Sequence, residues 1–146
     1  MIALRIYSSV IPARLNAVGA TVKDIMTRLQ DIYGEIGECI RFELKVILNE
    51  LILNAIKHGS KCDCNKVVKV KIGIAAGHYI IVIIQDEGTG FDHNYIANNN
   101  RNAFTGDCPE MKETGRGIML VSNLCSRIRF NLQGNRVVVL KDLIQD

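Results

Sequence analysis

The chain has no apolar run long enough to cross a membrane. Its longest unbroken one, Tyr79 to Ile84, is far short of the ~18 apolar residues that such a helix needs. The opening Met1-Ile2-Ala3-Leu4-Arg5 lacks the basic region and following apolar stretch of a secretion signal. No long block of one charge is present either: 18 Lys and Arg stand against 15 Asp and Glu, a formal charge of +3. Neither direct nucleic-acid binding nor an anionic membrane surface is therefore demanded. Paired cysteine spacing is missing too. Cys39, Cys62, Cys64, Cys108 and Cys125 are odd in number and irregular in spacing, unlike a secreted disulfide framework. The expectation is reduced thiols and a cytoplasmic protein. Internal repeats, linkers and coiled-coil heptads are likewise absent.

What remains is an ordinary globular composition, 48% hydrophobic and 23% charged in 146 residues. That suits one domain over residues 1–146. Residues 3–10 alternate loosely and predict a first strand. Pro12 is expected to open a helix running to about Tyr33, with Leu15, Val18, Val22, Ile25, Met26 and Leu29 as its apolar stripe. A second helix is expected from Glu38 to Lys57, with Gly59 as its terminator. Residues 66–75 alternate as a half-exposed strand, whereas Tyr79 to Gln85 is apolar almost throughout, the pattern of a central buried strand. Residues 92–114 contain little to bury and suggest a functional or mobile connection. A third helix is expected over 116–126, then strands over 127–132 and 136–140. Strands joined by short turns favour antiparallel pairing. The expected fold class is α+β, a two-layer sandwich with a mixed, mainly antiparallel sheet and helices on one face.

Three motifs carry chemistry. On the second helix Glu50, Asn54 and His58 recur every four residues and form one polar ridge. A carboxylate and a carboxamide one turn apart suit a hard cation and a proton acceptor; a solvated helix face with a stray Asn is the plainer reading of that motif alone. Next, Asp86-Glu87-Gly88-Thr89-Gly90 follows the central strand. It places an acid at a well-held strand end, beside glycines that let a ligand approach the backbone, or it is simply a tight turn. Last, Gly115-Arg116-Gly117 precedes an apolar helix. A glycine-rich helix N-terminus offers free N–H groups and a dipole to phosphate, although loop flexibility explains any one such pair. Cys62-Asp63-Cys64 near His58 lacks the paired spacing of a zinc site and reads as a surface turn.

Taken together, in this order, the motifs resemble the N box and the two glycine boxes of the GHKL superfamily, the gyrase, histidine-kinase and MutL group. Nearly the whole chain shares the resemblance. Pro12-Ala13-Arg14-Leu15, Asn54-Ala55-x-x-His58-Gly59 and Gly115-Arg116-Gly117-Ile118 look most like the bacterial anti-sigma factor serine/threonine kinases. The resemblance implies ATP and Mg²⁺ as cofactors. It implies Glu50 as general base, Asn54 as the Mg²⁺ ligand, and Asp86 as the reader of adenine's amino group. Gly88 and Gly90 would shape that pocket, Gly115 and Gly117 would wrap the phosphates, and Lys57, His58 and Arg116 would be further phosphate contacts. Residues 92–114 would be the ATP lid. One departure stands out: the family usually has a threonine after the glycine of the last hairpin, and here Gly134 is followed by Asn135-Arg136. His58, His78 and His93 lie on no separate phosphoacceptor segment, so the acceptor is expected on another polypeptide. The implied partners are a STAS-type anti-sigma antagonist, as substrate, and a sigma factor, with a homodimer as the assembly. The alternative is a nucleotide-binding regulatory module that holds a partner and transfers no phosphate.

Overall fold

The computed structural model of the chain describes residues 3–88 and 109–144. Strand β1 (Ala3–Pro12) leads through a 3-10 turn (Leu15–Ala17) into α1 (Val18–Tyr33). Helix α2 (Glu38–Asn54) continues into a π turn (Ala55–Gly59), followed by β2 (Val67–Ala75) and β3 (Tyr79–Gln85). Helix α3 (Pro109–Leu124), β4 (Arg127–Phe130) and β5 (Arg136–Asp142) complete the order. The sheet runs β1-β2-β3-β5-β4, and every pair of neighbours in it is antiparallel. The α+β layering expected from the sequence is therefore observed, with an antiparallel sheet.

Alternation decides which side of the sheet the helices cover. Val68, Val70, Ile72, Ile80, Val82, Ile84, Val137 and Val139 point to one face and are buried. They share a core with Ile25 and Leu29 of α1 and with Leu44, Ile47, Leu48, Leu51 and Ile52 of α2. Burying one Leu or Ile side chain is worth ~1.5–3 kcal/mol, so this stripe-on-sheet contact dominates the packing. Lys141 is the exception on that face. It is 4% exposed, pairs with Glu43 of α2, and donates to the Leu124 carbonyl at 2.6 Å. A cation there satisfies the C-terminal end of α3 and ties it to α2 and β5.

The main departures from the sequence reading each have a local reason. Pro12 ends β1 instead of opening a helix: proline is tolerated at the end of an edge strand, and Arg14 is still extended at φ −123° and ψ 137°. The stripe of α1 uses Thr21, whose hydroxyl donates back to the Ala17 carbonyl at 2.7 Å, while Leu15 is exposed. Helix α2 stops at Asn54, where the Ser60 N–H reaches the Ala55 carbonyl and widens the last turn. Helix α3 begins at Pro109, not at Arg116. Proline suits a first turn, and Met111, Lys112 and Glu113 are good helix formers. Residues 92–108 of the expected lid, and Gly90, lie outside the described residues. Strand β3 is central, as expected, but only one of its faces is packed on helices; Ile81 and Ile83 on the other face are half-buried.

Candidate functional site

Glu50 and Asn54 sit one turn apart near the C-terminal end of α2, both half-buried. Helix α3 lies against them because residue 117 is glycine. A methyl group built on Gly117 would come within 2.8 Å of Glu50 Oε2 and 3.3 Å of Asn54 Nδ2. A methyl group there would have to push these two polar heads aside. The Asn54 Nδ2 atom is buried and lacks a hydrogen-bond partner among the described residues. An unpaired amide end costs ~1–3 kcal/mol, so it stands where a polar ligand atom would be favourable.

The second half of the site is the β3 end. Asp86 is 8% exposed and accepts a hydrogen bond from the Gly88 N–H at 2.7 Å. Burial pushes its carboxyl above the usual range, while the Gly88 N–H and the Lys66 ammonium pull the other way. Two glycines hold it in place. A Cβ on Gly59 would lie 2.2 Å from the Asp86 carboxyl carbon, and a Cβ on Gly88 would lie 2.0 Å from the Gly59 carbonyl oxygen. The π turn at Ala55–Gly59 presses its last residue onto the carboxylate. Single π turns are frequent at functional sites. Gly59 thus has a role that its reading as a terminator missed. The helical pattern ending at Lys57-His58-Gly59 was visible in the sequence, but the strand end that Gly59 meets was not.

Asn135 completes the floor. The Asp86 N–H donates to the Asn135 carbonyl at 2.9 Å, and Asn135 Nδ2 donates back to the Asp86 carbonyl at 3.3 Å. Asn131 Nδ2 in turn donates to Asn135 Oδ1 at 2.8 Å, and its own Oδ1 accepts from the Gly134 N–H at 2.8 Å. At the position where a threonine was expected, an asparagine braces the Asp86 backbone. Asn131 was not singled out from the sequence, since nothing in its spacing distinguishes it from a turn residue.

These elements form a half-open cleft lined by Leu51, Asn54, Ile84, Asp86, Ile118, Phe130, Asn135 and Val137. Apolar walls with a few convergent polar groups are the usual form of a small-molecule site. Asn54 and Asp86 are brought together in it, and Glu50 meets Asn54 at Gly117. Lys57 and His58 are half-buried on the π turn and Arg116 is exposed on α3; none of the three lines this pocket. The regular ridge expected through His58 is broken, because the wider turn after Asn54 rotates His58 away from four-residue spacing. Gly115 and Gly117 lie inside α3, not ahead of its first turn, so the helix-N-terminus geometry expected of them is not the one observed.

The donor set suits a hard divalent cation carried by phosphate. Such an ion keeps most of its ligands as water and phosphate oxygen and takes only one or two from protein. A turned-over Asn54 carboxamide presents its oxygen at the unpaired position, next to the Glu50 carboxylate. No group of three or more His, Cys, Asp or Glu among the described residues is arranged to hold a metal by itself.

Fold and pocket define a two-layer α+β domain with a site between helix α2, helix α3 and the β3 end. The family model for the histidine kinase-like ATPase domain matches residues 11–141, and the chain belongs to that family. It is 25% identical over 126 residues to an anti-sigma F factor of Priestia megaterium, covering 84% of this chain and 80% of that one. It is 28% identical over 139 residues to the serine-protein kinase RsbW of Bacillus subtilis, covering 91% and 82%. Among solved structures it resembles the histidine kinase domain of a blue-light activated histidine kinase of Erythrobacter litoralis, with a TM-score of 0.53 and 16% identity. That alignment spans 91% of this chain and 62% of the solved one, and it speaks to the fold.

Proposed function

We propose that residues 1–146 form a single-domain ATP- and Mg²⁺-dependent protein serine/threonine kinase that phosphorylates a STAS-type anti-sigma antagonist and also holds a sigma factor. The observation that carries this reading is the meeting of Glu50 and Asn54 at Gly117, at the edge of a pocket with Asp86 in its floor. Membership of the histidine kinase-like ATPase family and the names of the two relatives support it. The family resemblance carries the homodimer, and the irregular cysteine spacing carries the cytoplasmic location.

In this reading Asp86 accepts a hydrogen bond from an adenine amino group, held to its position by Gly59, Gly88 and Asn135. The apolar walls from Leu51, Ile84 and Ile118 take the purine faces. Asn54 would hold a Mg²⁺ ion, which would supply charge neutralisation on the phosphates. Glu50 accepts the proton of the acceptor serine hydroxyl. The serine oxygen forms a bond to the γ-phosphorus as the bond from that phosphorus to the β-bridging oxygen breaks, and ADP leaves with the electron pair. The test is transfer of labelled γ-phosphate to a purified STAS-type protein. Label on a serine of that protein supports the reading. ATP-dependent sigma-factor binding without any label supports the regulatory module instead.

A further inference from the structure

Helices α2 and α3 meet at two levels. At one, the backbone of Gly117 on α3 lies against Glu50 and Asn54 of α2. At the other, Lys141 of β5 joins both helices. Its ammonium pairs with Glu43 of α2 and donates to the Leu124 carbonyl of α3 at 2.6 Å. Glu43 to Glu50 and Gly117 to Leu124 are each about two helical turns, ~10.5 Å, so the levels match on the two helices. Between Gly117 and Leu124, Val121 is fully buried in the core. Lys141 is a costly way to end a helix. It is 4% exposed, and a buried ammonium gives up much of its hydration. Water or a glycine cap ordinarily meets such a terminal carbonyl. What the ammonium adds is direction. One donor holds a carbonyl of α3, another holds a carboxylate of α2, and the stem rises from β5. The next backbone tie, from the Ser126 N–H to the Leu140 carbonyl at 2.8 Å, holds the chain after α3 and not the helix itself.

We infer that Lys141 is a positioning residue: by holding the C-terminal end of α3 on α2, it sets how closely Gly117 approaches Glu50 and Asn54. Its effect on rate rests on the phosphotransfer reading, whereas the approach of Gly117 rests on the geometry alone. Lys141 does not line the Asp86 cleft, so it acts through α3. Leverage gives the magnitude. Pivoting α3 at Leu124 by about 5° shifts Gly117 by ~1 Å over two turns. A misplacement of that size, made far from the chemistry, can cost about 10²-fold in rate.

The test compares K141M and K141M/E43L with the wild type, all as the full chain. The double variant replaces the ion pair by apolar side chains, an exchange that often leaves stability near the wild type. Loss of fold is thereby separated from loss of position. One readout needs no nucleotide. In amide nitrogen–proton correlation spectra, the Gly117 backbone amide and the Asn54 side-chain amide should shift in both variants, while the amide of Gly19 on α1 stays in place. The other readout is transfer of γ-phosphate to a STAS-type protein. There kcat should fall by about 10- to 100-fold in both variants. KM for ATP should stay within about threefold, because Asp86 and the glycines around it lie off α3. Unmoved Gly117 and Asn54 signals would overturn the inference. So would a double variant that melts like the wild type and transfers at the wild-type rate. If the wild type labels no STAS-type protein, the kinase reading fails by itself, and the two signals still decide whether Lys141 sets the approach of Gly117.

Discussion

Replacing Gly88 by alanine isolates the packing that holds the Asp86 carboxylate. The new Cβ would meet the Gly59 carbonyl oxygen at 2.0 Å and the Asp86 Oδ1 at 2.8 Å. The first neighbour is backbone in a buried π turn, so it cannot swing aside as a long side chain would. Relief requires the loop after β3 to separate from the π turn. Forced overpacking costs ~1–3 kcal/mol. Moving the loop also strains the 2.7 Å bond from the Gly88 N–H to Asp86, a charge-assisted contact worth ~1.5–3 kcal/mol. The sum is ~2.5–6 kcal/mol, which in a chain of this size lowers the unfolding temperature by roughly 5–24 °C. Gly19→Ala is the matched control: it lies in α1 with nothing within 4 Å of its Cβ, so it should hold or raise stability by ~0.5–1 kcal/mol. Thermal unfolding followed by circular dichroism reads both variants. A Gly88→Ala protein that melts within about 2 °C of the wild type would refute the claim that this close approach fixes Asp86.

Three further outcomes follow from the same geometry. Asp86→Asn should weaken ATP binding by about tenfold or more, through a buried donor left unpaired, without loss of fold stability at pH 7. The carboxyl is raised by burial above its ordinary value of 3.8, so the folded state binds the proton more tightly than the unfolded state. Its penalty is therefore present above the folded value and is relieved as pH falls towards the unfolded one; calorimetric titration and melting across acid pH check both parts. Gly117→Ala should reduce phosphate transfer more than stability, because its Cβ would press on the half-buried Glu50 and Asn54 heads; equal transfer rates would count against their convergence. Lys141→Met should cost ~2 kcal/mol in urea unfolding, by removing the cation from the Leu124 carbonyl and leaving Glu43 to solvent; an unchanged midpoint would contradict the tie between α2, α3 and β5.

Periodicity made the layers legible. The two-residue alternation of 67–75 and the three-and-four spacing in 38–54 name the buried face of β2 and α2 without any tertiary information. Boundaries were less legible where a residue has two uses. Pro12 opens helices and also ends edge strands, and the choice was made by pairing with Val67, which is distant in sequence. The run Met111 to Glu113 fell within 92–114, a segment read as a connection with little to bury, although its helix propensity is high. At the site, Glu50, Asn54 and Asp86 were picked out by the order of the three motifs and the family resemblance it carries, since each motif alone also suits a solvated helix face or a tight turn. Gly59 and Asn131 were not, because what they touch is set by the meeting of the π turn with β3 and of one hairpin with another. The apolar run of β3 was read as buried on both sides. Only the layer order shows that its outer half is half-buried, away from the helices.

The central claim is that Glu50 accepts the proton from an acceptor serine while Asn54 and Asp86 hold the nucleotide. Glu50→Gln tests it most directly, since the change is nearly isosteric at a half-buried helix position and leaves Asn54, Asp86 and Gly117 in place. ATP affinity, measured by calorimetry, should stay within about threefold of the wild type. The rate of γ-phosphate transfer to a STAS-type partner should fall by ~10²–10⁴, the worth of a positioned general base. Transfer at the wild-type rate, or a matching loss of ATP affinity, would contradict that assignment of Glu50.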